Sequence, residues 1–138
     1  MNGPSKWENS TWVLEEAIME CGNAEADIWL INDKFWLGHD KPTYEVDKGW
    51  IQENIEGLWL HCKNVAAIEY FNEFHQLYHY FWHDVDRLTI TSRGYLWAYP
   101  GNQPIRNSIA VMPEIHNDNI SQCLGICTDH VLSYRGDV

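Results

Sequence analysis

Glu25-Ala26-Asp27 sets two carboxylates two positions apart, at the head of a run, Ala26 to Ile31, that has the apolar composition of a strand. Side chains alternate with a period of two along a strand, so both carboxylates leave the same face and could meet one hard divalent cation. His61-Cys62-Lys63 repeats the geometry: an imidazole and an ammonium share one face, and Cys62 points the other way into the core. His39 follows Gly38, which permits close backbone approach, and precedes Asp40, which could orient the imidazole for general acid or base work. Singly, these are weak signals. A Glu-x-Asp is more often a pair of solvated edge carboxylates, a lone His a satisfied core residue and a lone Lys a solvated tail. The His-Asp pair also recurs at His83-Asp84. The constellation carries more weight, because acid, base, metal ligands and a phosphate-binding cation all fall at expected strand ends, as do Trp97, Glu114 and Asp129.

The elements that must position these residues have to fit into 138 residues, which bounds the chain to one continuous domain, 1–138. Ser10 and Thr11 precede Trp12 to Cys21, whose apolar positions recur at helical spacing, and Gly22 supplies a stop. Asn32-Asp33-Lys34 is a turn signal between Ala26–Ile31 and a hairpin return at Phe35–Gly38. Val46–Glu53 reads as a short helix, Leu58–Cys62 as a strand and Val65–Leu77 as a longer helix with aromatic residues on one face. Further strands follow at Tyr78–Trp82, Leu88–Thr91, Tyr95–Tyr99, Ile109–Met112 and Leu124–Cys127, with little helix between them. Strands alternating with helices, most of them apolar throughout, predict a parallel sheet buried on both faces. With the hairpin return counted as an appendage there are seven principal strands, one short of a closed eight-stranded barrel.

Composition narrows the partners. Twenty acidic residues against nine basic ones give a formal charge of -11, and such a field repels phosphate backbones and anionic lipid. Nucleic acid is therefore not expected as a partner. No apolar run reaches the roughly 18 residues of a membrane span, and the polar start Met1 to Glu8 lacks the apolar stretch of a signal peptide. Cys21, Cys62, Cys123 and Cys127 lack a Cys-x-x-Cys spacing and are expected as reduced thiols in a cytoplasmic protein.

The stretch from Glu25-Ala26-Asp27 to Gly38-His39-Asp40-Lys41-Pro42 resembles the segment of glycerophosphodiester phosphodiesterases in which Glu-x-Asp supplies metal ligands and His-Asp a catalytic histidine. His61-Cys62-Lys63 looks like that family's acidic-x-Lys strand end, with His61 in place of a third carboxylate. Phe81-Trp82-His83, the stretch from Thr91 to Pro100, Val111 to Glu114 and Ile126 to Asp129 look like the remaining strands of a compact subgroup. The resemblance implies an α/β fold, a compact TIM-type barrel with short or missing helices in its second half. It also implies hydrolysis of a small-molecule phosphodiester with magnesium or calcium. Glu25, Asp27 and His61 would hold the metal, His39 would be the general acid or base, Lys63 would bind a phosphate oxygen, and Trp97 and Glu114 would complete the substrate site.

The family's leading His-Arg-Gly strand is missing. Met1 to Asn9 looks like the segment that should follow it, and Leu132 to Asp137, with Tyr134-Arg135-Gly136, resembles the missing strand end. The barrel would then either lack its first strand or supply it by circular permutation. An open barrel exposes two unpaired edges, which invites pairing with a second copy. The competing reading is a truncated barrel that binds a phosphorylated ligand or a partner chain without turnover.

Overall fold

The computed structural model describes residues 6–135, which fall into two compact units, Lys6–His83 and, of the described residues, 84–135. In the first unit, helix α1 (Thr11–Cys21) ends where Gly22 takes a left-handed conformation, φ 85°, and returns its N–H to the Ile18 carbonyl. Strand β1 (Ala24–Ile31) turns back through Asn32 and Asp33, both at positive φ, into β2 (Lys34–Leu37). Two consecutive left-handed residues match the right-handed twist of the strands they join. Next come β3 (Tyr44–Val46), α2 (Lys48–Glu53), β4 (Leu58–Cys62), α3 (Val65–Glu73) and β5 (His79–Trp82). The Asp47 carboxylate accepts the Trp50 N–H and caps α2. Asn64 caps α3 through the Ala67 N–H and also bonds both the N–H and the carbonyl of Leu30, tying the start of α3 to the end of β1.

The five strands lie in the order β3-β2-β1-β4-β5, with β1, β4 and β5 parallel and the β1–β2 and β2–β3 pairs antiparallel. The alternate side chains Ala26, Ile28, Leu58, Leu60, Cys62 and Tyr80 form a buried core with Leu14, Ile51, Ala67 and Phe71 from the three helices. Glu25, Asp27 and His61 occupy the intervening positions and so stand on the opposite face.

In the second unit β6 (Leu88–Ile90), β7 (Leu96–Ala98), β8 (Ser108–Val111) and β9 (Gly125–Cys127) form a four-stranded sheet in sequence order. β6 runs antiparallel to β7, and β7, β8 and β9 are parallel. A 3-10 turn at Pro113–Ile115 follows β8, and α4 (Val131–Arg135) ends the described chain.

This architecture corrects the barrel expectation. Among the described residues the strands form two mixed sheets of five and four, with four short α-helices and no closed barrel. Closure needs both edges of every strand to pair, and the outer edge of β1 is taken by its own hairpin return, which β3 then extends. The hairpin treated as an appendage is a full member of the sheet. The permuted first strand fares no better: Val131–Arg135 is helical, and Gly136 and Asp137, like Met1 to Ser5, lie outside the described residues. Val46 ends β3 rather than opening a helix, and α3 stops at Glu73 rather than Leu77. All four cysteines are free, with Cys62 buried in the core. Among the described residues no helix is long and apolar enough to cross a membrane.

Candidate metal centre

The register of the β1–β4 pair sets Asp27 directly beside His61, and Glu25 stands two residues earlier on the same face. His61 Nδ1 lies 3.1 Å from Asp27 Oδ1 and 3.6 Å from Glu25 Oε1. The other ring nitrogen, Nε2, is 3.2 Å from the carbonyl oxygen of His83. A carbonyl only accepts, so Nε2 carries the hydrogen and Nδ1 is left facing the carboxylates. The ring is stacked on Phe81 at 4.8 Å and 16°, which fixes its plane. Phe81 is the β5 register partner of His61, so two neighbouring strands orient this imidazole.

Asp27 is held from behind. Asn9 Nδ2 donates to Asp27 Oδ2 at 3.0 Å, and Asn9 Oδ1 accepts the Asp27 N–H at 2.8 Å. One carboxylate oxygen is thereby capped and the other turned toward His61. The Asp27 side chain is 4 % exposed, yet neither Asp27 Oδ1 nor Glu25 Oε1 has a hydrogen bond of good geometry. Both meet Nδ1 only at ion-pair distance. A buried carboxylate oxygen without a donor costs on the order of 1–3 kcal/mol, so this arrangement calls for a cation between the three groups.

That cation is either a proton or a metal. Without metal, burial disfavours the imidazolium, but the hydrogen-bonding and charge of Asp27 and Glu25 outweigh it and raise the His61 pKa to about 9. Burial, reinforced by the Asp27 charge, pushes Glu25 up to about 7 against the pull of His61. Burial also opposes ionisation of Asp27, but His61 and Asn9 together, with the nearby Lys63 charge, hold its carboxyl below the usual range. The alternative is a divalent ion in place of the Nδ1 proton. One atom from each residue lies within 4.8 Å of the other two. The Nδ1 distances of 3.1 and 3.6 Å are near the roughly 3.0–3.4 Å between adjacent donors around an ion with bonds of about 2.1 Å. The donor set fits a metal.

His39 is not one of the three converging residues. It is exposed, and its Nδ1 meets Asp40 Oδ1 at 2.9 Å, the pairing expected from the dipeptide. The Gly38 N–H donates to the Asp27 carbonyl at 3.1 Å, so His39 begins one residue beyond a backbone bonded to the centre. Gly38 has φ 155°, and a Cβ there would collide with the Lys41 carbonyl. Lys63, the residue after β4, bonds its N–H to the Ile28 carbonyl, and its charge is felt at Asp27.

Trp97 and Glu114 belong to the second unit. Trp97 is buried on β7. Both Glu114 oxygens are engaged, Oε1 by the Thr128 hydroxyl at 2.8 Å and Oε2 by the Tyr134 hydroxyl at 3.0 Å. Asn9 is the residue that the sequence did not single out. Asn9-Ser10-Thr11 reads as a run of helix-start residues, and nothing local marks Asn9 as the partner of a residue eighteen positions on.

No protein-family model, curated protein or solved structure matches the chain. Fold and site define a mixed α/β protein with a carboxylate–carboxylate–imidazole cluster on the face of a sheet.

Proposed function

We propose that the Lys6–His83 unit binds one divalent cation through Glu25, Asp27 and His61 and hydrolyses a small-molecule phosphodiester of the glycerophosphodiester type. The observation that carries this reading is the buried Oδ1 of Asp27, which has no neighbour of hydrogen-bonding geometry and lies 3.1 Å from an imidazole nitrogen whose ring is fixed from its far side. A bound ion would polarise a phosphoryl oxygen and favour attack of water at phosphorus, with one P–O ester bond breaking and its oxygen leaving as the alcohol. The remaining steps fall to side chains of the chain itself. Lys63 offers an ammonium to a phosphate oxygen. His39, its Nδ1 held by Asp40, exchanges a proton with an alcohol oxygen through Nε2.

A second reading, phosphate-ligand binding without turnover, is favoured by one observation: the His39 side chain is exposed and paired with Asp40 rather than joined to the buried cluster. Hydrolysis of a glycerophosphodiester, with magnesium, calcium or manganese present, separates the two. Replacing the exposed His39 by Ala leaves the core intact and is expected to lower turnover by roughly 10²- to 10⁴-fold. Equal activity in both proteins would refute the His39 assignment. No activity in either, with phosphate still bound, would establish the second reading.

A further inference from the structure

We propose that the centre selects a nitrogen-favouring transition cation, Co²⁺ or Zn²⁺, over magnesium or calcium, and that Asn9 adds to the exclusion of calcium by holding Asp27 to one-oxygen coordination. The inference rests on the metal-binding reading above and concerns which ion that site takes.

Three features of the donor set point the same way. The first is the nitrogen. Imidazole suits zinc, iron, nickel and copper, whereas magnesium and calcium favour carboxylate, carbonyl and water oxygens. His61 is set up as a ligand through Nδ1: its other N–H is spent on the His83 carbonyl, the outer bond that usually fixes tautomer and ring orientation in a metal-bound histidine. The second is Asn9. By donating to Asp27 Oδ2 and taking the Asp27 N–H on its own Oδ1, it leaves one free oxygen on that carboxylate. Calcium sites reach their six to eight oxygens partly through bidentate carboxylates, and a capped Asp27 cannot serve as one. The third is charge and number. Two carboxylates balance a dication, and three protein donors match the number of protein ligands in catalytic transition-metal sites. Asn9 is buried and sits at φ 66°, a conformation that Asn tolerates better than most residues, so its side chain is delivered by a fixed backbone.

The test is calorimetric titration of the metal-free full chain with the chlorides of manganese, cobalt, zinc, magnesium and calcium, in the wild type, His61→Asn and Asp27→Asn. The expected result is tighter binding of cobalt and zinc than of magnesium and calcium, by at least about tenfold. His61→Asn, which can place an amide oxygen near the Nδ1 position without adding charge, should shrink that ratio, and Asp27→Asn should abolish the tight site. Magnesium or calcium binding as tightly as cobalt and zinc would overturn this inference and leave the metal centre standing. Failure of every cation to bind would overturn the reading beneath it. An unchanged ratio in His61→Asn, or tight zinc persisting in Asp27→Asn, would show that the preference arises at other groups and would also overturn it. Should either variant not fold, cobalt d–d absorption and perturbation of the His61 ring signals in the wild type decide the nitrogen donor: silence in both refutes it.

Discussion

Two carboxylate clusters in this protein have similar parts and opposite states of satisfaction. Glu114 lies between the hydroxyls of Thr128 and Tyr134, and each of its oxygens accepts a hydrogen bond. Burial pushes its pKa up, but its own backbone N–H together with the Thr128 and Tyr134 hydroxyls holds the carboxyl below the usual range. Asp27 and Glu25 face an imidazole instead, and each has a buried oxygen that meets only that ring, at ion-pair distance. The first arrangement is complete: it ties the turn after β8 to the segment from Thr128 to α4. The second is incomplete without a cation. Proximity of polar groups therefore does not identify a site. Which oxygens are already occupied does.

The comparison breaks most visibly at Asp27. Asp27→Asn removes one ligand charge and is expected to weaken cation binding by at least about 10³-fold, beyond the 10- to 100-fold typical of outer residues. Calorimetry measures this. A wild-type affinity would place the ion elsewhere.

Next in size is the pH dependence of the metal-free protein. The His61 pKa is raised from 6.5 to about 9, so its contribution, on the order of 3 kcal/mol, is fully present below about 6.5 and lost as pH rises through 9. Glu25, also raised, to about 7, contributes below its unfolded value and loses that contribution as pH rises through 7. Urea melts between pH 6 and 10 should show declining stability that His61→Asn flattens, and saturating zinc should remove most of the decline. A flat wild-type profile would mean that no proton bridges the cluster.

Asn9→Leu sharpens the comparison by freeing the second Asp27 oxygen. It should cost 10- to 100-fold in cation affinity and about 1–3 kcal/mol of stability, since the buried Asp27 Oδ2 and Asp27 N–H both lose their partner. Affinity within twofold of the wild type would show that Asn9 only tethers the segment before α1.

The smallest effect belongs to Glu114. Glu114→Gln keeps one acceptor for two hydroxyl donors, so thermal denaturation should register a loss of about 0.5–1.5 kcal/mol with cation affinity unchanged. A large change in cation affinity would mean that Glu114 is not merely a clamp.

Much of this was written in local patterns. Gly22 as a helix stop, Asn32-Asp33 as a hairpin turn and Leu58–Cys62 as a strand were all legible, because capping, left-handed turns and apolar runs depend on neighbouring residues only. The shared face of Glu25 and Asp27 follows from strand periodicity alone. That Glu25, Asp27 and His61 meet was expected from the resemblance and is what the structure brings together, but the β1–β4 register behind it, the hairpin that takes the other edge of β1 and leaves the barrel unclosed, and the reach of Asn9 to Asp27 were not legible in the residues. Each depends on which backbone edges meet across many residues, a choice set by the total burial of competing pairings rather than by any short stretch of chain. The orphaned oxygen is of the same kind. A carboxylate's identity is local, but its hydrogen-bond partners exist only once strands and turns have been brought together.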